Sequence, residues 1–135
     1  MINETIPVLR PLLPKRADIS AYIESIDESR WYSNGGPLVS RFEERLSQYF
    51  QVDAVQIATV CNGTLALSQC LRAFEVPQNS VCLMPSWTFV ATPAAALAGG
   101  LEPYFLDVDP ETWLITPSQV KEFAAKRPVG AVVVV

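Results

Sequence analysis

The sequence predicts an α/β fold with a mostly parallel sheet covered by helices on both faces. Three observations carry that expectation. From residue 55 onward, short apolar runs alternate with helix-like stretches, the order that builds strand–helix–strand units. Runs such as "SVCLMP" and "VGAVVVV" are apolar at nearly every position, as strands buried on both faces are. The composition, 50% hydrophobic and 18% charged over 135 residues, is that of a globular chain about one domain long.

The elements follow in order. The first sixteen residues mix prolines and basic residues with scattered Leu and Ile, which predicts an extended arm. Asp18 offers an N-cap, and Ile19, Tyr22, Ile23 and Ile26 follow helical spacing. "RWYSNGGP" interrupts this helix. Asn34-Gly35-Gly36 can take positive φ, and Pro37 suits the first position of a new helix. Leu38, Phe42, Leu46, Tyr49 and Phe50 mark one face of that second helix, with Arg41, Glu43, Glu44 and Arg45 on a solvated side. Val55–Val60 predicts a strand and Thr64–Phe74 a buried helix. Val81–Met84 predicts a second strand, stopped by Pro85. "WTFVATPAAALAGG" predicts a helix with Pro93 in its first turn or bending it, ended by Gly99-Gly100. Tyr104–Val108 is a third expected strand. Thr116-Pro117-Ser118-Gln119 has the form of a capping box with proline at the first helical position, opening a helix to about Lys126. Val129–Val135 is the fourth. Residues 1–50 thus read as an arm with two helices, and 51–135 as the α/β part. The chain stops inside its most apolar segment, Ala131 to Val135, from which we expect a truncated reading of a longer fold.

Several function classes fall away on composition. A net charge of −4 gives no electrostatic reason to expect nucleic acid or an anionic membrane surface. The apolar runs are too short to span a bilayer, and the start lacks the pattern of a signal peptide, so a cytoplasmic protein is expected. Cys61, Cys70 and Cys82 show no metal-ligand spacing and read as buried thiols in a reducing compartment. There is no histidine, which removes the commonest general base and transition-metal ligand.

Three short motifs bear chemistry. Cys61-Asn62-Gly63-Thr64 joins an expected strand to a helix N-terminus, where free N–H groups and the positive end of the dipole suit an anion. Gly63 would let the anion approach the backbone and Thr64 would add a hydroxyl. A plain capped connection would use the same residues. It is neither a Walker loop nor a dinucleotide fingerprint, because the lysine and the further glycines are missing. "PSWTF", 85–89, follows the next strand, and ligands in parallel α/β sheets bind beyond the carboxyl ends of strands. Trp87 could stack there on a flat ring, or simply pack in a core or interface. "FLDVDP", 105–110, offers Asp107 and Asp109 either as a pair for a divalent metal and a nucleotide-sugar diphosphate, as in glycosyltransferases, or as turn formers before Pro110.

Taken together and in order, "IPVLRPLLP", "RWYSNGGPLVSRFEERLSQYF", "CNGTLALSQCLRAF" and "MPSWTFVATPAAALAGGLEPYFLDVDPETW" resemble the opening of the DegT/DnrJ/EryC1/StrS family. Its members are pyridoxal-phosphate-dependent aminotransferases of nucleotide-linked keto sugars with the type I aminotransferase fold. The resemblance implies that this chain is the first part of that fold's large domain. It implies that Asn62, Gly63 and Thr64 hold the pyridoxal 5'-phosphate group and that Trp87 stacks on its pyridine ring. Trp31, Tyr32, Ser33 and Asn34 would lie near the nucleotide-sugar substrate. Glutamate would be the amino donor and a homodimer the working assembly, in polysaccharide or sugar-antibiotic biosynthesis. Asp107 and Asp109 match a structural strand end. No residue here is assigned a catalytic or metal-binding role. The chemistry needs a lysine to hold the cofactor aldehyde and an acid to hold its pyridinium proton. Lys15 lies in the arm and Lys121 and Lys126 on a solvated helix, so the chain alone is expected to be inactive. The other readings are a sugar dehydratase with the same cofactor, a non-catalytic piece that pairs with a partner, and the metal-dependent glycosyltransferase.

Overall fold

A computed structural model describes residues 8–135. Residues 1–7, nearly half of the expected arm, lie outside the described residues, and residues 8–15 form no regular element. The chain divides into two compact units, one ending at Ala58 and the other spanning Thr59–Val135.

The first unit holds two helices, α1 (Arg16–Ser29) and α2 (Pro37–Phe50). The start of α1 differs from expectation. Asp18 is not its N-cap but its third residue, and its carboxylate accepts the Lys15 N–H at 3.0 Å. An acid in the first turn serves a helix from there as well, by binding back to the cap backbone and opposing the dipole. Both helices end in left-handed residues, Arg30 and Gln51. Pro37 opens α2 as expected. Its charged side is not only solvated: the Arg41 guanidinium sits 5.6 Å over the Tyr22 ring and Arg45 Nη1 donates to Tyr22 Oη at 3.4 Å, so both arginines bind α1. Of the expected apolar face, Leu38 and Leu46 are half-buried, whereas Phe42, Tyr49 and Phe50 are exposed.

The expected strand Val55–Val60 does not form. Ala54–Gln56 is a single 3-10 turn packed against α2. Asp53 and Gln56 close it: Gln56 N–H donates to Asp53 O at 2.9 Å, and Asp53 N–H donates to Gln56 Oε1 at 3.2 Å. These capping bonds divert the backbone groups a ladder needs. Residues 57–60 form no regular element.

The second unit is a three-stranded parallel sheet in the order β2–β1–β3, from β1 (Val81–Pro85), β2 (Glu102–Leu106) and β3 (Val129–Val132). The helices are α3 (Gly63–Ala73), α4 (Ala91–Ala98) and α5 (Pro117–Ala124). Central β1 is buried throughout, as its unbroken apolar run requires. Its Cys82 and Met84 share a cluster with Leu71 of α3, Ala96 of α4 and Leu101. Its Leu83 points the other way and pairs in register with Tyr104, whose ring meets Phe123 of α5 at 4.4 Å. So α3 and α4 cover one face and α5 the other. The topology dictates this: β1 to β2 and β2 to β3 run in opposite directions along the sheet, and right-handed crossovers then place their helices on opposite sides.

Strand β2 begins two residues before the expected Tyr104, through Pro103. Glu102 N–H donates to Ser80 O at 2.9 Å, so the next backbone position faces away from β1. A proline on the open side of an edge strand forfeits no ladder bond. Strand β3 ends at Val132, earlier than expected, with an irregularity opposite Val81/Cys82 where Gly130 is the extra residue. Pro93 lies in the first turn of α4, and the Thr116 capping box is formed. Cys61 and Cys70 are exposed, contrary to expectation, while Cys82 is buried and burial pushes its thiol pKa up.

Candidate functional site

Helix α3 starts at an N-cap, Asn62, in extended conformation (φ −164°, ψ 166°). Its Oδ1 accepts the Leu65 N–H at 2.9 Å and its carbonyl accepts Ala66 N–H at 3.1 Å. Asn62 Nδ2 lies 3.3 Å from Cys61 Sγ. The Gly63 and Thr64 N–H groups are the first two of the helix and have no acceptor within it. A Cβ added at Gly63 would meet nothing within 4 Å, and Thr64 is exposed. The result is a pair of outward N–H donors and a hydroxyl at the positive end of an eleven-residue helix. No side chain covers Gly63, so the backbone there is open to solvent, and a helix start of this kind suits an anion.

The topology brings this opening to the same edge of the sheet as Trp87. Helix α3 leads through residues 74–80 into the start of β1, so it runs against the strand. Eleven helical residues and five strand residues both span ~16 Å. The α3 N-terminus and the β1 C-terminus therefore lie at one edge, where parallel sheets hold ligands. Trp87 lies two residues past the end of β1 and is 65% exposed. Its loop is pinned from β2: Ser86 N–H donates to Leu106 O at 2.7 Å, and Ser86 Oγ donates to Asp107 Oδ1 at 3.4 Å. Thr88 and Thr92 hydroxyls meet at 2.8 Å.

A third part of this edge escaped sequence reasoning. Trp113 lies edge-on to Trp87, with ring centroids 5.2 Å apart and planes at 67°. It sits in a turn built on Asp109, whose Oδ1 accepts Glu111 N–H (3.0 Å), Thr112 N–H (2.9 Å) and Thr112 Oγ1 (3.1 Å). These bonds hold the Asp109 carboxyl below the usual range, the Thr112 N–H contributing most. Asp107 Oδ1 likewise accepts Val108 N–H at 2.8 Å. Both carboxylates thus serve the turn, the use that "FLDVDP" shares with many Asp-Pro turns. The spacing in "DPETW" announces such a turn, but nothing local announces that its last ring meets Trp87.

Trp31, Tyr32, Ser33 and Asn34 belong to the first unit. They line a cavity of about 160 Å³ between the end of α1 and the start of α2. Trp31 Nε1 donates to Ser33 O at 2.6 Å, and left-handed Asn34 and Gly35 (φ 58° and 71°) turn the chain into α2. Tyr32 Oη donates to Asp27 Oδ1 at 3.3 Å. Desolvation first, then the Asp27 charge and this bond, push the phenol pKa up.

The sequence model of the DegT/DnrJ/EryC1/StrS aminotransferase family matches residues 14–135, so the chain belongs to that family. It is 33% identical over 122 residues to dTDP-4-amino-4,6-dideoxy-D-glucose transaminase of Escherichia coli, a match covering 90% of this chain and 32% of that enzyme. A solved Bacillus cereus chain superposes with a TM-score of 0.84 at 32% identity, covering 97% of this chain and 36% of that one. Spr1654 of Streptococcus pneumoniae, solved in a PLP form, superposes with a TM-score of 0.71 at 26% identity, covering 88% of this chain and 29% of its own. The α/β arrangement is a partial type I aminotransferase fold. The chain spans about a third of the length of these relatives. Among the described residues no helix is long and apolar enough to cross a membrane, and no group of three or more acidic, cysteine or histidine side chains could hold a metal.

Proposed function

We propose that this chain forms the phosphate- and ring-binding part of a pyridoxal-phosphate-dependent aminotransferase that acts on a nucleotide-linked keto sugar. The observation that carries the reading is the family match together with the open donor pair of Gly63 and Thr64 at the sheet edge that also bears Trp87. Gly63 N–H, Thr64 N–H and the Thr64 hydroxyl would hold the phosphate, the helix dipole favouring its charge. Asn62 would act behind them, fixing the first turn through Leu65 rather than giving its oxygen to the ligand. Trp87 would cover one face of the pyridine ring and keep water from it. When bound, the cofactor supplies an electrophilic aldehyde and an electron-withdrawing ring. Trp31, Tyr32, Ser33 and Asn34 would contribute to holding the sugar nucleotide, since they line a cavity with apolar walls and hydroxyl-bearing side chains. Glutamate as donor, a homodimeric assembly, a cytoplasmic location and a place in polysaccharide or sugar-antibiotic biosynthesis complete the proposal. They rest on the resemblance to the family.

Titration of the purified chain with pyridoxal phosphate tests it. Saturable binding that weakens on Trp87→Ala and on Thr64→Val is expected. Binding absent from the native chain, or indifferent to both changes, would refute the assignment.

A further inference from the structure

Trp113 is strained where it stands. A bulky residue at φ 61° lies in the left-handed region that side chains with a Cβ avoid. The strain is held by a closed set of bonds: Asp109 N–H donates to Leu114 O at 2.9 Å, Trp113 N–H donates to Asp109 O at 2.8 Å, and Asp109 Oδ1 gathers three further donors. The turn presents an indole that is 56% exposed, so burial of its area is not what the conformation gains. Its ring partner is Trp87, 5.2 Å away and edge-on, itself 65% exposed and unable to rely on a core for its orientation. Edge-to-face packing is the favoured arrangement for two aromatic rings and restricts the tilt of both.

We propose that Trp113 is a positioning residue for Trp87: the Asp109 turn holds its indole against the Trp87 ring and thereby fixes the plane on which the cofactor's pyridine ring stacks. The inference rests on the cofactor reading given above. It assigns to "DPETW" a role in ring binding although no atom of it need touch the ligand.

The test uses pyridoxine 5'-phosphate, which carries the ring and the phosphate but no aldehyde and so cannot react with Lys15, Lys121 or Lys126. Inorganic phosphate is titrated in parallel. Before any ligand is added, the native chain should show the exciton signature of two coupled indoles in circular dichroism, lost in Trp113→Ala and in Trp113→Phe. Trp113→Ala should then raise the dissociation constant for pyridoxine 5'-phosphate roughly two- to tenfold, the range expected for one lost aromatic pair. Affinity for inorganic phosphate should not change, and Trp113→Phe, which keeps an aromatic edge, should restore most of the ring affinity. A native chain without the exciton signature, ring affinity untouched by Trp113→Ala, or ring and phosphate affinity falling together would each overturn the proposal. Failure of the cofactor reading looks different: the native chain would show coupled indoles yet bind pyridoxine 5'-phosphate no better than phosphate, which would overturn both.

Discussion

Thr64 is a residue whose side chain and backbone do separable work. Its N–H belongs to the helix start and survives any substitution except proline, whereas its hydroxyl is an additional donor with no partner in the turn's own bonding. Thr64→Val keeps shape and backbone and removes that donor alone. For one charge-assisted hydrogen bond to phosphate, the expected loss in pyridoxal phosphate affinity is roughly 1–3 kcal/mol, with helix content unchanged. A binding isotherm superposable on the native one would rule out the hydroxyl as a ligand. Asp109 gives a second expectation, in pH. Its folded-state pKa is lowered from 3.8, so its bonds contribute stability that is fully present above that value and is lost as pH falls through the depressed folded value. Glu102, beside Arg127, and Glu122, beside Lys126, are lowered too, from 4.5, so what they contribute is fully present above that higher value and lost as pH falls through their own depressed values. Asp109→Asn keeps an oxygen acceptor but removes the charge. Urea midpoints between pH 7 and pH 3 should therefore fall less steeply in that variant than in the native chain. Equal slopes would mean that the carboxylate charge adds nothing to the turn.

Among the elements, Gly130 in β3 shows how one small residue fixes a strand's path. A Cβ there would lie 2.4 Å from Ser80 Cβ and 2.7 Å from Val76 Cγ1, at the irregularity where β3 departs from strict register with β1. Gly130→Ala should destabilise the second unit by about 1–3 kcal/mol, as overpacking in a tight site does. Adding Ser80→Gly should recover part of it. An unchanged urea midpoint for Gly130→Ala would show that the strand shifts freely. The same strands show what local pattern can and cannot reveal. The apolar run of β1 was legible because a strand buried on both faces has no polar face to confuse the reading, and α5 because its capping box is a purely local bond set. The start of β2 was hidden by Pro103, whose tolerance depends on being at an edge and on facing outward, both properties of the assembled sheet. Val55–Val60 misled because its apolar letters outweighed Asp53 and Gln56, whose capping bonds decide the turn. At the candidate site, Gly63 and Thr64 were readable from a strand-to-helix pattern even though the strand before them does not form. The Trp87–Trp113 pair was not, because it joins residues twenty-six apart through a left-handed turn.

At the scale of the whole molecule, the parallel sheet has two ends with different chemistry, and Lys126 is at the wrong one. The C-terminal edge of the strands carries the α3 N-terminus and Trp87. Helix α5 runs against the strands, so Lys126, two residues past its end, lies toward the edge where β3 begins. There Lys126 Nζ is bound to Glu122 at 2.7 Å, which raises its pKa and lowers its nucleophilicity at neutral pH. Lys121 sits on the same exposed helix, and Lys15 is at the start of α1 in the other unit. No histidine offers another base. We therefore expect the chain by itself to bind the cofactor without turning it over. Free cofactor reacting with a surface lysine would be held in no particular orientation, and orientation accounts for many orders of magnitude in rate. The purified chain, given pyridoxal phosphate, glutamate and a nucleotide-linked keto sugar, should form amino sugar no faster than the cofactor alone. Turnover above that background that is abolished by Thr64→Val or Trp87→Ala would mean that a proton-transferring group at this edge has gone unrecognised. Turnover abolished instead by Lys126→Gln would place the reactive centre at the opposite edge of the sheet.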